Sequence, residues 1–112
     1  MEKIIVVPVT AGVLSAHFGH CEVFYFAEVK DNQIVAERSI VPPAHEPGLY
    51  PKWVKEQGGD LVIGGGMGQR ARDLFAQNGV EVVVGAPLEQ PRAVVEAYLN
   101  GTLQTTGNSC DH

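Results

Sequence analysis

Residues 58–69 read Gly58-Gly59-Asp60-Leu61-Val62-Ile63-Gly64-Gly65-Gly66-Met67-Gly68-Gln69. A β-branched apolar run bounded by glycines predicts a short buried strand over Asp60–Ile63, followed by a loop at Gly64–Gly68. The next segment, Gln69–Gln77, places Ala71, Leu74 and Phe75 on one helical face and closes on Asn78-Gly79. Val80–Val84 is a second buried strand, which completes a strand–helix–strand unit.

The flanking sequence extends this pattern. Upstream, Leu49–Gln57 has Leu49, Trp53 and Val54 at helical spacing with Pro51 in the first turn. Downstream, Leu88–Leu99 carries a Val94/Val95/Tyr98/Leu99 stripe, with Pro91 early and Asn100-Gly101 as its cap. Lys3–Val9 is almost wholly apolar and β-branched, the pattern of a central strand buried on both faces. Glu22–Val29 and Gln33–Ile40 are further strands, joined by the hairpin-type turn Lys30-Asp31-Asn32. Thr10–Cys21 and the proline-rich Val41–Gly48 are connections. The order β-β-β-α-β-α-β-α predicts a three-layer α/β/α fold around a five-stranded mixed sheet of order 3-2-1-4-5. One domain over residues 1–103 and a flexible Cys-x-His tail over 104–112 account for the chain.

Composition narrows the function. With 45% hydrophobic and 19% charged residues the chain is too apolar to be disordered and too mixed for a membrane protein. Eight Lys and Arg against 13 Asp and Glu give a net charge of −5. The cations are scattered singly, which speaks against nucleic acid. Ile4–Cys21 carries no charged residue, yet Pro8, Thr10, Gly12, Ser15 and His17 make it unsuited to a bilayer. The leader has neither a net positive charge nor a convincing cleavage site, so a cytoplasmic protein with reduced thiols is expected.

Metal-competent side chains are concentrated outside the predicted core elements. His17, His20 and Cys21 fall within His17-Phe18-Gly19-His20-Cys21, at the end of the first connection. Imidazole and thiolate are ligands for borderline and soft metals. Cys110 and His112 lie in the tail, and His45 in the proline-rich loop. A tail that folds back would let Cys110 and His112 complete a site begun by His17, His20 and Cys21, with His45 as an outer candidate. Its affinity should fall below about pH 6, because thiolates must be deprotonated. The competing readings are cysteines as apolar fillers and a Cys21–Cys110 disulfide, which needs an oxidising compartment. There is no C-x-x-C pair.

Gly64, Gly65, Gly66, Met67 and Gly68 form the second candidate site, since amides at a helix start favour an anion. Gly66-x-Gly68-x-x-Ala71 matches a dinucleotide fingerprint, but the next strand ends Val84-Gly85-Ala86 without the required acid. A packing role for the glycines stands beside anion binding. Both loops should adjoin, because each follows the C-terminal end of one of two adjacent parallel strands. No Gly-x-Ser-x-Gly elbow is present, and the first strand carries no internal acid for two-metal chemistry.

Several segments together resemble the dinitrogenase iron–molybdenum cofactor biosynthesis family, of the NifX/NifB C-terminal type. They are Ser15-Ala16-His17-Phe18-Gly19-His20, the aromatic strand after it, the Gly58–Gly68 block, Asn78–Val83 and Tyr98-Leu99-Asn100-Gly101-Thr102-Leu103. The resemblance covers residues 1 to about 105. It implies a ribonuclease-H-like fold, no catalysis, and non-covalent carriage of an iron–sulfur or iron–molybdenum-type cluster between donor and acceptor proteins. His20-Cys21 stands where many members have a basic residue, so a stand-alone member serving a non-nitrogenase cluster is one reading. The alternatives are a Zn or Fe ion in a regulatory or interaction domain, and an anion or nucleotide held by the glycine loop.

Overall fold

Ile5, Val6 and Val7 are completely buried in succession, as a strand covered on both faces requires. They belong to β1 (Glu2–Thr10), the middle of an open mixed sheet. The computed structural model describes residues 2–16, 18–44 and 48–105, leaving aside the side chain of His20. After β1 come β2 (Val13–Leu14), a 3-10 turn (Phe18–His20), β3 (Val23–Lys30) and β4 (Gln33–Ile40). Then α1 (Leu49–Glu56), β5 (Leu61–Ile63), α2 (Gln69–Gln77), β6 (Glu81–Val83) and α3 (Pro91–Asn100) alternate.

β3 runs antiparallel to β1, pairing Lys30 with Glu2 and Val23 with Val9, and β4 continues antiparallel beyond it. On the other side β5 lies parallel to β1, and β6 parallel to β5. The order β4-β3-β1-β5-β6 is the expected one. The expected number of strands is not: the sheet has six, because β2 pairs antiparallel with the end of β1. Its two residues fold back through Ala11 and Gly12, whose φ angles of 54° and 81° make a tight two-residue turn. α3 also starts later than expected, at Pro91 rather than Leu88. Gln90 is held extended at φ −58° and ψ 139°, as a residue before proline tends to be.

Strand alternation divides the core in two. Ile5, Val7, Val9, Tyr25, Leu61 and Ile63 face α3 and pack with its Val94 and Val95. Val6, Phe24, Phe26 and Val62 face α1 and α2, against Tyr50, Val54 and Phe75. Helices therefore cover both faces. Among the described residues no helix is long and apolar enough to cross a membrane.

Candidate functional site

β1 and β5 are parallel neighbours, so the segments leaving their C-terminal ends share the place where open α/β sheets form a ligand crevice. The segment leaving β1 is fixed on three sides. Ala11 N–H donates to the Glu22 carboxylate (2.8 Å), Leu14 N–H to the Glu89 carbonyl (2.8 Å) and Ser15 N–H to the Pro8 carbonyl (2.7 Å). The segment leaving β5 is the glycine loop. Gly64 N–H donates to the Val83 carbonyl (2.8 Å), while Gly85 N–H and Ala86 N–H donate to the Gly65 and Gly64 carbonyls (2.8 and 3.2 Å).

The two segments touch. A methyl group on Gly65 would lie 3.2 Å from the Ser15 carbonyl oxygen and 3.3 Å from Ala16 Cα, closer than side chains ordinarily stand. Gly65 is thus needed for close backbone approach. The amide of Gly64 and the carbonyls of Gly64 and Gly65 serve the fold, whereas Gly66–Gly68 and the start of α2 take no part in these bonds.

Phe18 anchors the 3-10 turn Phe18–His20 in the core. Its ring meets Phe75 at 5.1 Å, Tyr50 at 5.7 Å and Phe24 at 5.8 Å, in tilted or edge-to-face arrangements. Such pairs are worth about 0.5–1.5 kcal/mol each beyond the area they bury. Met67 of the glycine loop is buried in the same cluster, so both loops share one apolar floor. Anchoring Phe18 fixes the backbone of the turn through His20. His17 itself lies outside the described residues, as do His45, Cys110 and His112, and the His20 side chain is likewise not described.

Cys21 is half-buried against the Phe18 cluster. Burial pushes its thiol up to about 11, partly offset by a backbone hydrogen bond. The thiol is therefore neutral across the physiological range. A metal taking Cys21 as thiolate would displace its proton. Tyr50 beside it is also raised, mainly by burial and secondarily by Cys21. The Tyr50 hydroxyl donates to the Pro43 carbonyl (3.1 Å), which draws the loop leading to His45 toward the same wall. Among the described residues, no three His, Cys, Asp or Glu side chains stand together as a metal site.

Two further features stand at this end of the sheet. Thr10 Oγ1, at the end of β1, is buried with no hydrogen-bond partner among the described residues. An unsatisfied buried hydroxyl costs about 1–3 kcal/mol. Pro8, two residues earlier, lies 4.0 Å from where a Gly64 Cβ would stand, so alternation puts Thr10 on the same face as the glycine loop. The second feature is the open start of α2. Gly68 provides no side-chain cap, and the first turn has no acid. Arg72 N–H makes the first helical bond, to the Gly68 carbonyl (3.2 Å). The preceding amides of Gln69, Arg70 and Ala71 thus have no helical acceptor, and such an end favours an anion.

A family model described as dinitrogenase iron-molybdenum cofactor matches residues 1–101. Among solved structures, the crystal structure of PH0822 superposes with a TM-score of 0.85 at 26% identity, covering 91% of this chain and 93% of that one. The apo form of the orange protein from Desulfovibrio gigas superposes with a TM-score of 0.73 at 19% identity, covering 95% and 94%. No curated protein matches the sequence.

Proposed function

This chain belongs to the dinitrogenase iron-molybdenum cofactor family, and from that premise we propose that it is a non-catalytic carrier for an anionic iron–sulfur or iron–molybdenum-type cluster. The cargo sits at the C-terminal ends of β1 and β5 and passes between donor and acceptor proteins in the cytoplasm, on a sheet of ribonuclease-H-like plan. The observation that carries the reading is the contact of Gly65 with Ser15 and Ala16, which brings the two candidate loops to one crevice.

The residues present fit such a cargo. Sulfido and oxo atoms are hydrogen-bond acceptors, and the crevice supplies donors: the Gln69–Ala71 amides, the Thr10 hydroxyl and the neutral Cys21 thiol. Phe18 and Met67 keep water from the floor, where electrostatic contacts are strengthened by the low dielectric. Gly66, Met67 and Gly68 shape the anion-facing wall, with Gly64 and Gly65 holding it in place. His17, His20 and Cys21 are the proposed inner ligands of the cargo, with His45, Cys110 and His112 as outer ones.

Anaerobic titration with tetrathiomolybdate, followed by visible absorption and amide NMR, tests the proposal. Saturable binding with shifts at Gly65–Gln69 is expected. Shifts confined to other regions would refute the site, and the absence of binding would refute the carrier. Cys110→Ser tests the tail: the outer-ligand role requires a drop in metal content.

A further inference from the structure

Thr10 is the last residue of the central strand, whose other positions in this stretch are Val6, Val7, Pro8 and Val9. Valine has nearly the shape of threonine, follows the strand's own pattern and leaves no polar atom to satisfy. The hydroxyl is instead kept, with Oγ1 shielded from solvent and no partner among the described residues. The neighbouring Ala11 N–H does find an acceptor, the Glu22 carboxylate at 2.8 Å, so the turn after β1 is hydrogen-bonded without the hydroxyl. Buried polar groups are nearly always hydrogen-bonded, and exceptions call for a ligand, a water or a functional role.

Three placements point to a ligand. Thr10 ends β1, where the crevice begins. It lies on the face of Pro8, whose Cγ would stand 4.0 Å from a Cβ on Gly64. The backbone bonds of Ala11, Leu14 and Ser15 hold the segment after β1 without using the hydroxyl.

We infer that the Thr10 hydroxyl is a cargo-binding donor, which gives its proton in a hydrogen bond to a sulfido or oxo atom of an anionic cluster seated in the crevice. This assignment rests on the carrier reading and adds to it the atom that reads the cargo. It makes stability and affinity move in opposite directions. Removing a hydroxyl that has no partner among the described residues leaves the cargo-free fold as stable or more so, while the complex loses a donor.

The experiment compares Thr10→Val, Thr10→Ser and the unaltered protein by thermal melting without cargo and by anaerobic titration with tetrathiomolybdate. Thr10→Val is expected to keep or raise Tm, by up to roughly 4 °C, and to weaken binding about tenfold. Thr10→Ser is expected to retain most of the affinity. A lowered Tm in Thr10→Val would show that the hydroxyl supports the fold and would overturn the inference. Unchanged affinity in Thr10→Val would overturn it too, while leaving the carrier reading in place. Failure of the unaltered protein to bind tetrathiomolybdate would overturn both.

Discussion

Gly65 stands against Ser15 so closely that a single methyl group on Gly65 would come within 3.2 Å of the Ser15 carbonyl oxygen. Beside the Leu14 side chain, also at 3.2 Å, the neighbours are backbone atoms of Ser15 and Ala16, and the bonds of Ser15 to Pro8 and of Gly85 to Gly65 hold the two segments in place. Gly65→Ala must push the two loops apart by a few tenths of an ångström. The expected cost is about 1–2 kcal/mol of stability, together with a loss of tetrathiomolybdate affinity. Urea unfolding and titration measure the two, and affinity that survives the substitution would detach the contact from the site.

Cys21 predicts a pH dependence. Its thiol lies at about 11, above the ordinary 9.0, because burial disfavours the thiolate. The folded state thus favours the neutral form. Its contribution is complete below pH 9.0 and fades as pH climbs toward about 11. Urea midpoints of the unaltered protein and Cys21→Ala should therefore differ by a constant amount up to pH 9, after which the unaltered protein loses ground. A constant difference through pH 11 would show that the thiol is not held neutral. If Cys21 instead binds metal as thiolate, affinity should rise about tenfold per pH unit through neutrality. A hydrogen-bonded cargo should show no such slope from this residue.

The central position of β1 was legible because Ile4-Ile5-Val6-Val7 leaves neither face polar, a pattern with one structural solution. The parallel half was legible from its glycine and asparagine stops. β2 was not: Val13-Leu14 is too short for any periodicity, and its register depends on Ala11 adopting a left-handed φ that alanine does not advertise. The site was legible at the level of loops. The rule that loops at adjacent parallel strand ends converge placed the glycine loop beside the segment leading to His17. Which groups in it are committed to the fold depends on tertiary hydrogen bonds such as Gly85 to Gly65. The half-burial of Cys21 and the orphaned hydroxyl of Thr10 likewise depend on packing, which a linear pattern does not encode.

Ala11 offers a stabilising change at the edge of the crevice. It takes the first position of the β1–β2 turn at φ 54°, followed by Gly12 at 81°. The β3–β4 turn has the same conformation with Asp31 at 52° and Asn32 at 63°, residues that tolerate it. Ala11 is exposed, and its N–H bond to Glu22 does not involve its side chain. Ala11→Asn should raise stability by about 0.5–1 kcal/mol, measured by chemical denaturation, without altering cargo affinity. A loss of stability would mean that the turn is not of the primed type.

Phe18 gives the last prediction, because it joins the core to the His17–Cys21 segment. Its ring touches Phe24, Tyr50 and Phe75, and it is almost wholly buried, at 7% exposure. Phe18→Leu keeps an apolar side chain but removes three aromatic contacts and leaves a small void, for an expected loss of about 1–3 kcal/mol. Trp53 provides a separate reading of the core. Its ring pairs are with Phe24 at 5.4 Å and Phe26 at 6.0 Å, one layer away from Phe18. The folded-state emission of Trp53 should therefore change little, while its unfolding transition moves to lower urea. Met67 shares the cluster with Phe18, so amide shifts should appear in the glycine loop as well as in Gly19–Cys21. Shifts limited to Gly19–Cys21 would mean that the two loops do not share a floor, and that the crevice is held together by the Gly65–Ser15 contact alone.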